Sequence, residues 1–196
     1  DARLAVVDDA TFAFSGIFAP GALEVDAAFT GTFTSSHVFA LFIDVDTLVA
    51  DEARSLAVGA SLRRQGRRLG VGPDRQLVTG AAALTGGVEV GGNTLPASTT
   101  MFLASSGVDG VGWIHQPGGA GDTSILAQCQ SPSGRVAYTG QLAQNTVVVG
   151  DVSHTVTDGA SVDDRKEWLA VLDRETGALI GARDLEPHDN YSYCTF

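Results

Sequence analysis

The residues that could do chemistry in this sequence are few and scattered. Four histidines stand at His37, His115, His154 and His188. A Ser–His–Asp relay needs nucleophile, base and orienting carboxylate within hydrogen-bond reach. No Gly-x-Ser-x-Gly turn supplies a nucleophile, and Ser105-Ser106-Gly107 has no base beside it. The histidines therefore read as loop residues facing solvent. Asp44-Val-Asp46 would put two carboxylates on one face of a strand, where they could accept Ca²⁺. It lacks the further spaced acceptors and the Gly of a calcium loop. His154 lies near Asp151 and Asp158, without the His-x-His or Cys-x-x-Cys spacing of a transition-metal site. Gly80 to Gly87 is glycine-rich, but no Lys follows Gly87 to meet a phosphate, so it reads as a strand-to-loop connection. No metal and no cofactor is expected.

Cys129 and Cys194 are the two cysteines, 65 residues apart. A disulfide between them is one expectation and a pair of buried thiols the other, since the bond needs Cα atoms within about 7 Å. Net charge is −11. Such a surface repels a phosphate backbone, so nucleic acid is not an expected partner. The one basic cluster, Arg63, Arg64, Arg67, Arg68 and Arg75, reads as a solvated loop and strand flank. No apolar stretch approaches the roughly 18 residues a spanning helix needs. Few Lys, much Gly, Thr and Ser and an acidic balance suit an exported bacterial protein, extracellular or attached to the surface. The chain opens at Asp1 without Met, as a processed product or a fragment would.

Positioning these residues falls to a repeat. An apolar strand ending in Gly occurs three times: Phe12-Ala-Phe-Ser-Gly16, Gln76-Leu-Val-Thr-Gly80 and Val136-Ala-Tyr-Thr-Gly140. A short alternating stretch follows each: Leu23-Glu-Val25, Val88-Glu-Val90 and Val147-Val-Val149. Then comes an aromatic-led strand, with Phe39, Phe102 and Trp168 as matched positions. A tight turn and a last strand close each unit, at Asp46-Thr47, Asp109-Gly110 and Thr176-Gly177. Thr47 departs from this pattern, because a β-branched residue tolerates positive φ poorly. A further strand precedes each unit, at Arg3–Val7, Arg68–Val71 and Ile125–Cys129. Each unit reads as four antiparallel strands, the pattern of a β-propeller blade. A β-sandwich also gives short strands and frequent turns, and stands as the alternative. The matched aromatics Phe39, Phe102 and Trp168, with Trp113, read as packing between blades. Val162 to Leu172 has some helical composition, but the repeat assigns its Trp168-Leu-Ala-Val-Leu to a strand.

The units resemble the bacterial SBBP-type β-propeller repeat, a seven-bladed-propeller-like family. Its first motif is matched by Ser133-Gly-Arg-Val-Ala-Tyr-Thr-Gly140 and its second by Glu167-Trp-Leu-Ala-Val-Leu-Asp-Arg-Glu-Thr-Gly177. The second unit keeps Val78-Thr-Gly80 and Met101-Phe-Leu-Ala104; the first keeps Phe39-Ala-Leu-Phe-Ile-Asp44. The resemblance implies a propeller fold and carries no shared catalytic residues.

The sequence thus predicts a single all-β domain over 1–196, with blades at 1–57, 58–121 and 122–188 and an orphan strand at 189–196. Propellers have four to eight blades. Three leave open edges, which predicts ring completion by a second copy or another propeller segment. The expected function is a non-catalytic binding or scaffolding module for a protein or glycan, with ligand-facing positions at His115, Asp122, His188 and Asp189. One alternative is a polysaccharide hydrolase or lyase using Asp122, Asp163, Asp164 and Asp189 at the channel mouth. The other is a structural subunit of a larger assembly.

Overall fold

A computed structural model describes residues 2–26, 29–96, 101–119, 121–157 and 165–185, with side chains at these positions other than 2–3, 23–26, 29–31, 60–61, 63–69, 73 and 83–86. The protein is all-β. The chain runs through β1 (Ala2–Asp8), β2 (Thr11–Phe18), β3 (Gly21–Asp26), β4 (Phe29–Phe33), β5 (Ser36–Asp44) and β6 (Ala50–Val71). A single helical turn at Pro73–Arg75 leads into β7 (Leu77–Val90), β8 (Asn93–Leu95), β9 (Phe102–Gly107), β10 (Gly110–His115) and β11 (Gly118–Gly119). Then follow β12 (Asp122–Ser131), β13 (Arg135–Val149), β14 (Val152–Val156), β15 (Lys166–Asp173) and β16 (Leu179–Leu185).

Hydrogen bonding divides these strands into three antiparallel sheets, none closed into a barrel. The first has the order β1-β2-β5-β6-β7-β9-β10, with β8 on β7. The second has the order β11-β13-β15-β16, with β12 and β14 also on β13. β3 and β4 form a hairpin of their own. β6 is shared: its start pairs with β5 and its end with β7. So the strand expected at Arg68–Val71 is not separate. It is the tail of a 22-residue strand that turns from one group of strands into the next.

The connections between the second and third strands of the units, about Phe18 to His37, Leu84 to Thr100 and Leu142 to Arg165, read in sequence as loops, and each contains a hairpin. β3 and β4 occupy the first; the end of β7 folds back as β8, and the end of β13 folds back as β14. Gly80 to Gly87 accordingly lies inside β7 and not in a loop. Alternation continues the strands past the Gly: Val88 and Val90, and Val147 and Val149, are buried while Glu89 and Val148 point out. Gly91 and Gly92, at φ 54° and 80°, make the left-handed pair a two-residue hairpin loop demands.

The register fixes which residues share a face. Gly16 lies opposite Phe39, Gly80 opposite Leu103 and Gly140 opposite Trp168. Leu103, not Phe102, is therefore the counterpart of Phe39 and Trp168. Period-two alternation turns a one-residue offset into a change of face, and Phe102 points the other way. Two cores result. Ala13, Val38, Ala40 and Phe42 of β2 and β5 meet Leu77, Ala81, Phe102 and Ala104 of β7 and β9. On the opposite face of β7 and β9, Val78, Met101 and Leu103 meet Val136, Tyr138, Trp168, Ala170 and Leu172 of β13 and β15. The strands thus pack in layers, and β7–β9 is buried on both sides. All four aromatics expected in packing roles, Phe39, Phe102, Trp113 and Trp168, are buried.

Candidate functional site: a turn-lined cleft

Where the two large sheets meet, three turns wall an open cleft of about 460 Å³, lined by Asp74, Gln76, Ser105, Val108, Asp109 and Arg174 among others. The first wall is the Pro73–Arg75 turn. Asp74 and Arg75 sit at φ 54° and 56°, and the Gly72 amide donates to the Gln76 carbonyl at 2.7 Å. Two non-glycine residues in the left-handed region carry strain that neighbouring bonds must offset. Arg54 supplies them: its Nη1 donates to the carbonyls of Arg75 and Ser106, at 2.7 and 3.2 Å. Its guanidinium lies 4.5 Å over the Phe42 ring and pairs with Glu52. Arg75 itself bonds Asp51 at 2.8 Å, and that hydrogen bond is the chief cause of a raised Arg75 pKa. Of the basic cluster read as solvated, Arg75 is therefore ion-paired; the side chains of Arg63, Arg64, Arg67 and Arg68 lie outside the described set.

The second wall is the β9–β10 turn, Gly107 to Gly110. The third comes from the other sheet. There Asp173 Oδ1 accepts from the Glu175 and Thr176 amides and the Thr176 hydroxyl at 3.0 to 3.1 Å. Gly177 follows at φ 70°. Asp44 builds the same turn from Thr47, with Leu48 at φ 56° in the place of Gly177. Thr47, the departure from the turn pattern, does not take the left-handed place; Leu48 does. One expectation is corrected: Asp44 ends a strand while Asp46 sits in the turn, so they do not share a strand face. Asp44 Oδ1 is engaged by its own turn.

The third wall is pinned to the first sheet. Trp113 Nε1 donates to the Arg174 carbonyl at 2.6 Å, and Gln76 Nε2 donates to the same carbonyl at 3.3 Å and to Ser105 Oγ at 2.9 Å. A Cβ at Gly177 would meet the Trp113 ring at 2.6 Å, so the turn seats flat on the indole only with glycine there. The walls expose three carboxylates, Asp74, Asp109 and Glu175, beside the single Arg174 guanidinium. Sequence reasoning found the turns but not the cleft, because the Gln76, Trp113 and Arg54 bonds all cross between distant segments.

Of the residues expected to face a ligand, His115 and Asp122 lie elsewhere. His115 ends β10, half-buried, and shares a 3.0 Å hydrogen bond with the Tyr138 hydroxyl across the second core. Burial lowers its pKa to about 4 and raises that of Tyr138. It is thus not a solvated loop histidine, and neither are the others described. His37 sits on β5 beside Ser55 at 3.1 Å, and His154 on β14 lies 3.1 Å from Asp184, not from Asp151. Asp122 is exposed at the start of β12. His188, Asp189, Asp158, Asp163 and Asp164 lie outside the described residues, as do Cys194 and the strand expected at 189–196. Cys129 is buried on β12, its Sγ 3.8 Å from the Ala137 carbonyl.

Comparison with protein-family models, curated proteins and solved structures found no match to this chain.

Proposed function

We propose that the chain is a non-catalytic binding or scaffolding module, exported or displayed on a cell surface, that holds a protein or glycan ligand in the turn-lined cleft. One observation carries this reading: the cleft walls come from both large sheets and are fastened to each other by the Trp113, Gln76 and Arg54 bonds. A pre-organised cavity spares a ligand much of the ordering cost of binding. Three carboxylates against one guanidinium favour hydroxyl-rich or cationic groups over phosphates.

In the same reading the three four-stranded groups are repeats of one unit. Support comes from the Gly16, Gly80 and Gly140 registers, from a hairpin at the same place in each, and from the shared Asp44 and Asp173 turns. A propeller relates neighbouring blades by rotation, so unlike faces meet at every junction. Here the Phe102 face meets the Val38 face, and the Leu103 face meets the Trp168 face: like packs on like. This favours the layered, sandwich-like arrangement over the ring. Self-association stays part of the proposal, as face-to-face stacking.

The test is an oligosaccharide array and a displayed peptide library, screened against the protein and against Gly112→Tyr. The nearest atom to a Cβ at Gly112 is Ser105 Oγ at 4.0 Å, so Tyr there fills the cleft without moving backbone. Ligands that lose tenfold or more in affinity on this change support the reading. Absence of any ligand, or binding indifferent to Gly112→Tyr, sinks it.

A further inference from the structure

The first group of strands presents three rows on the face turned away from its core. The register aligns Val6 with Phe12 and Ile43, Leu4 with Phe14 and Leu41, and Gly16 with Phe39. Leu4 and Val6 are 61% and 77% exposed. Phe12, Phe14 and Ile43 are half-buried, and buried Phe39 and Leu41 form the floor. The Phe14 and Phe39 rings lie 5.9 Å apart. None of these residues is charged.

We propose that two copies of this chain meet on this face, packed against each other about a two-fold axis. Three observations select a second copy over another partner. The corresponding positions elsewhere are Val78 with Leu103 and Tyr138 with Trp168, and these two faces already pack on one another inside the chain. A surface at these positions therefore receives its own kind. Among the described residues the Phe14–Phe39 face has no such counterpart, and a second copy offers one.

Charge points the same way. Two chains of net charge −11 repel each other except across a neutral window, and these rows are one. A cationic partner would seek carboxylates instead. Area sets the strength. Leu4 and Val6 stand out of a patch of only a few residues, smaller than a standard specific interface, so the dimer is weak and reversible. The proposal rests on the like-face layering and not on the cleft. A failed ligand screen leaves it standing, and a failed dimer leaves the cleft standing.

Sedimentation and light scattering on the full chain, from about 1 to 500 µM, test it. The expected mass rises from 20.2 kDa toward twice that value with increasing concentration. Val6→Lys points a charge into the contact and should raise the midpoint concentration at least tenfold. Leu4→Ser, a milder change on the same face, should raise it severalfold and covers the case in which Val6→Lys fails to fold. Ile180→Lys, at a 51% exposed apolar residue on β16, should leave it unchanged. A monomer mass up to 500 µM overturns the proposal. So does a dimer that ignores the Leu4 and Val6 changes in folded protein.

Discussion

Positions 48 and 177 hold the same left-handed place in two turns that are otherwise alike, at φ 56° and 70°. Their surroundings give opposite expectations for substitution. Leu48 is exposed, and a left-handed Leu costs roughly 1–2 kcal/mol that Gly avoids. Set against the extra freedom of Gly in the unfolded chain, Leu48→Gly should stabilise by about 0.5–1 kcal/mol. Gly177→Ala adds both the left-handed penalty and a collision with the Trp113 ring, and should cost about 2–4 kcal/mol. Urea unfolding of both variants measures the pair. Acid should also act in two separable steps. The folded pKa of His115, about 4, lies below the usual 6.5, so the folded state resists protonation there. Stability attributable to His115 is complete above about pH 6.5 and declines as pH falls toward 4, by about 2–3 kcal/mol. The carboxyls of Asp44 and Asp173 are held below their usual value, first by the Thr47 side-chain bond and first by the Thr176 amide respectively. Their contribution is lost only at lower pH, as it falls through those depressed values. His115→Gln should flatten the first decline and leave the second; stability measured from pH 7 to 3 reads both.

At the scale of the strand, Gly140 shows why an apolar run ends where it does. It faces Trp168 across the β13–β15 ladder, and a Cβ there would overlap the indole, which has no free space to move into. Gly140→Ala should therefore cost about 3 kcal/mol or more by overpacking. Because the damage is one collision, Gly140→Ala combined with Trp168→Leu should cost less than the two single changes added together. A double-mutant cycle by thermal or urea unfolding checks this, and strict additivity would remove the Gly–Trp contact as the reason for the glycine. The strand pattern itself was legible in sequence. Trp168-Leu-Ala-Val-Leu172 is a continuous apolar run that the repeat assigns to a strand, and burial alternates along it, with Trp168, Ala170 and Leu172 buried and Leu169 and Val171 half-buried. The one-residue offset at Phe102 and Leu103 was not legible, since both residues are large and apolar and either fits the pattern.

Arg54 acts at the scale of the molecule. It reaches from β6 to the Pro73–Arg75 turn and to β9, with Phe42 beneath it and Glu52 beside it. Arg54→Met keeps much of the apolar stem but leaves the Arg75 and Ser106 carbonyls and the Glu52 carboxylate without this donor. It should cost about 2–4 kcal/mol and loosen the cleft, seen as faster hydrogen exchange at residues 72–76 in native conditions.

By itself the sequence determined what depends on near neighbours along the chain. Alternation set the strands, Gly and Asp-x-x-Thr set the turns, and the spacing of Gly16, Gly80 and Gly140 set out three groups of strands. Tertiary structure alone decided which face of each sheet meets which. Period-two strands present two faces, and where both are apolar, as in Leu77-Val78 or Phe102-Leu103, local pattern cannot rank them. The cleft was decided at the same level. Gln76, Trp113 and Arg174 are ordinary residues until two sheets bring them together, because the bonds that make the site join segments up to 98 residues apart.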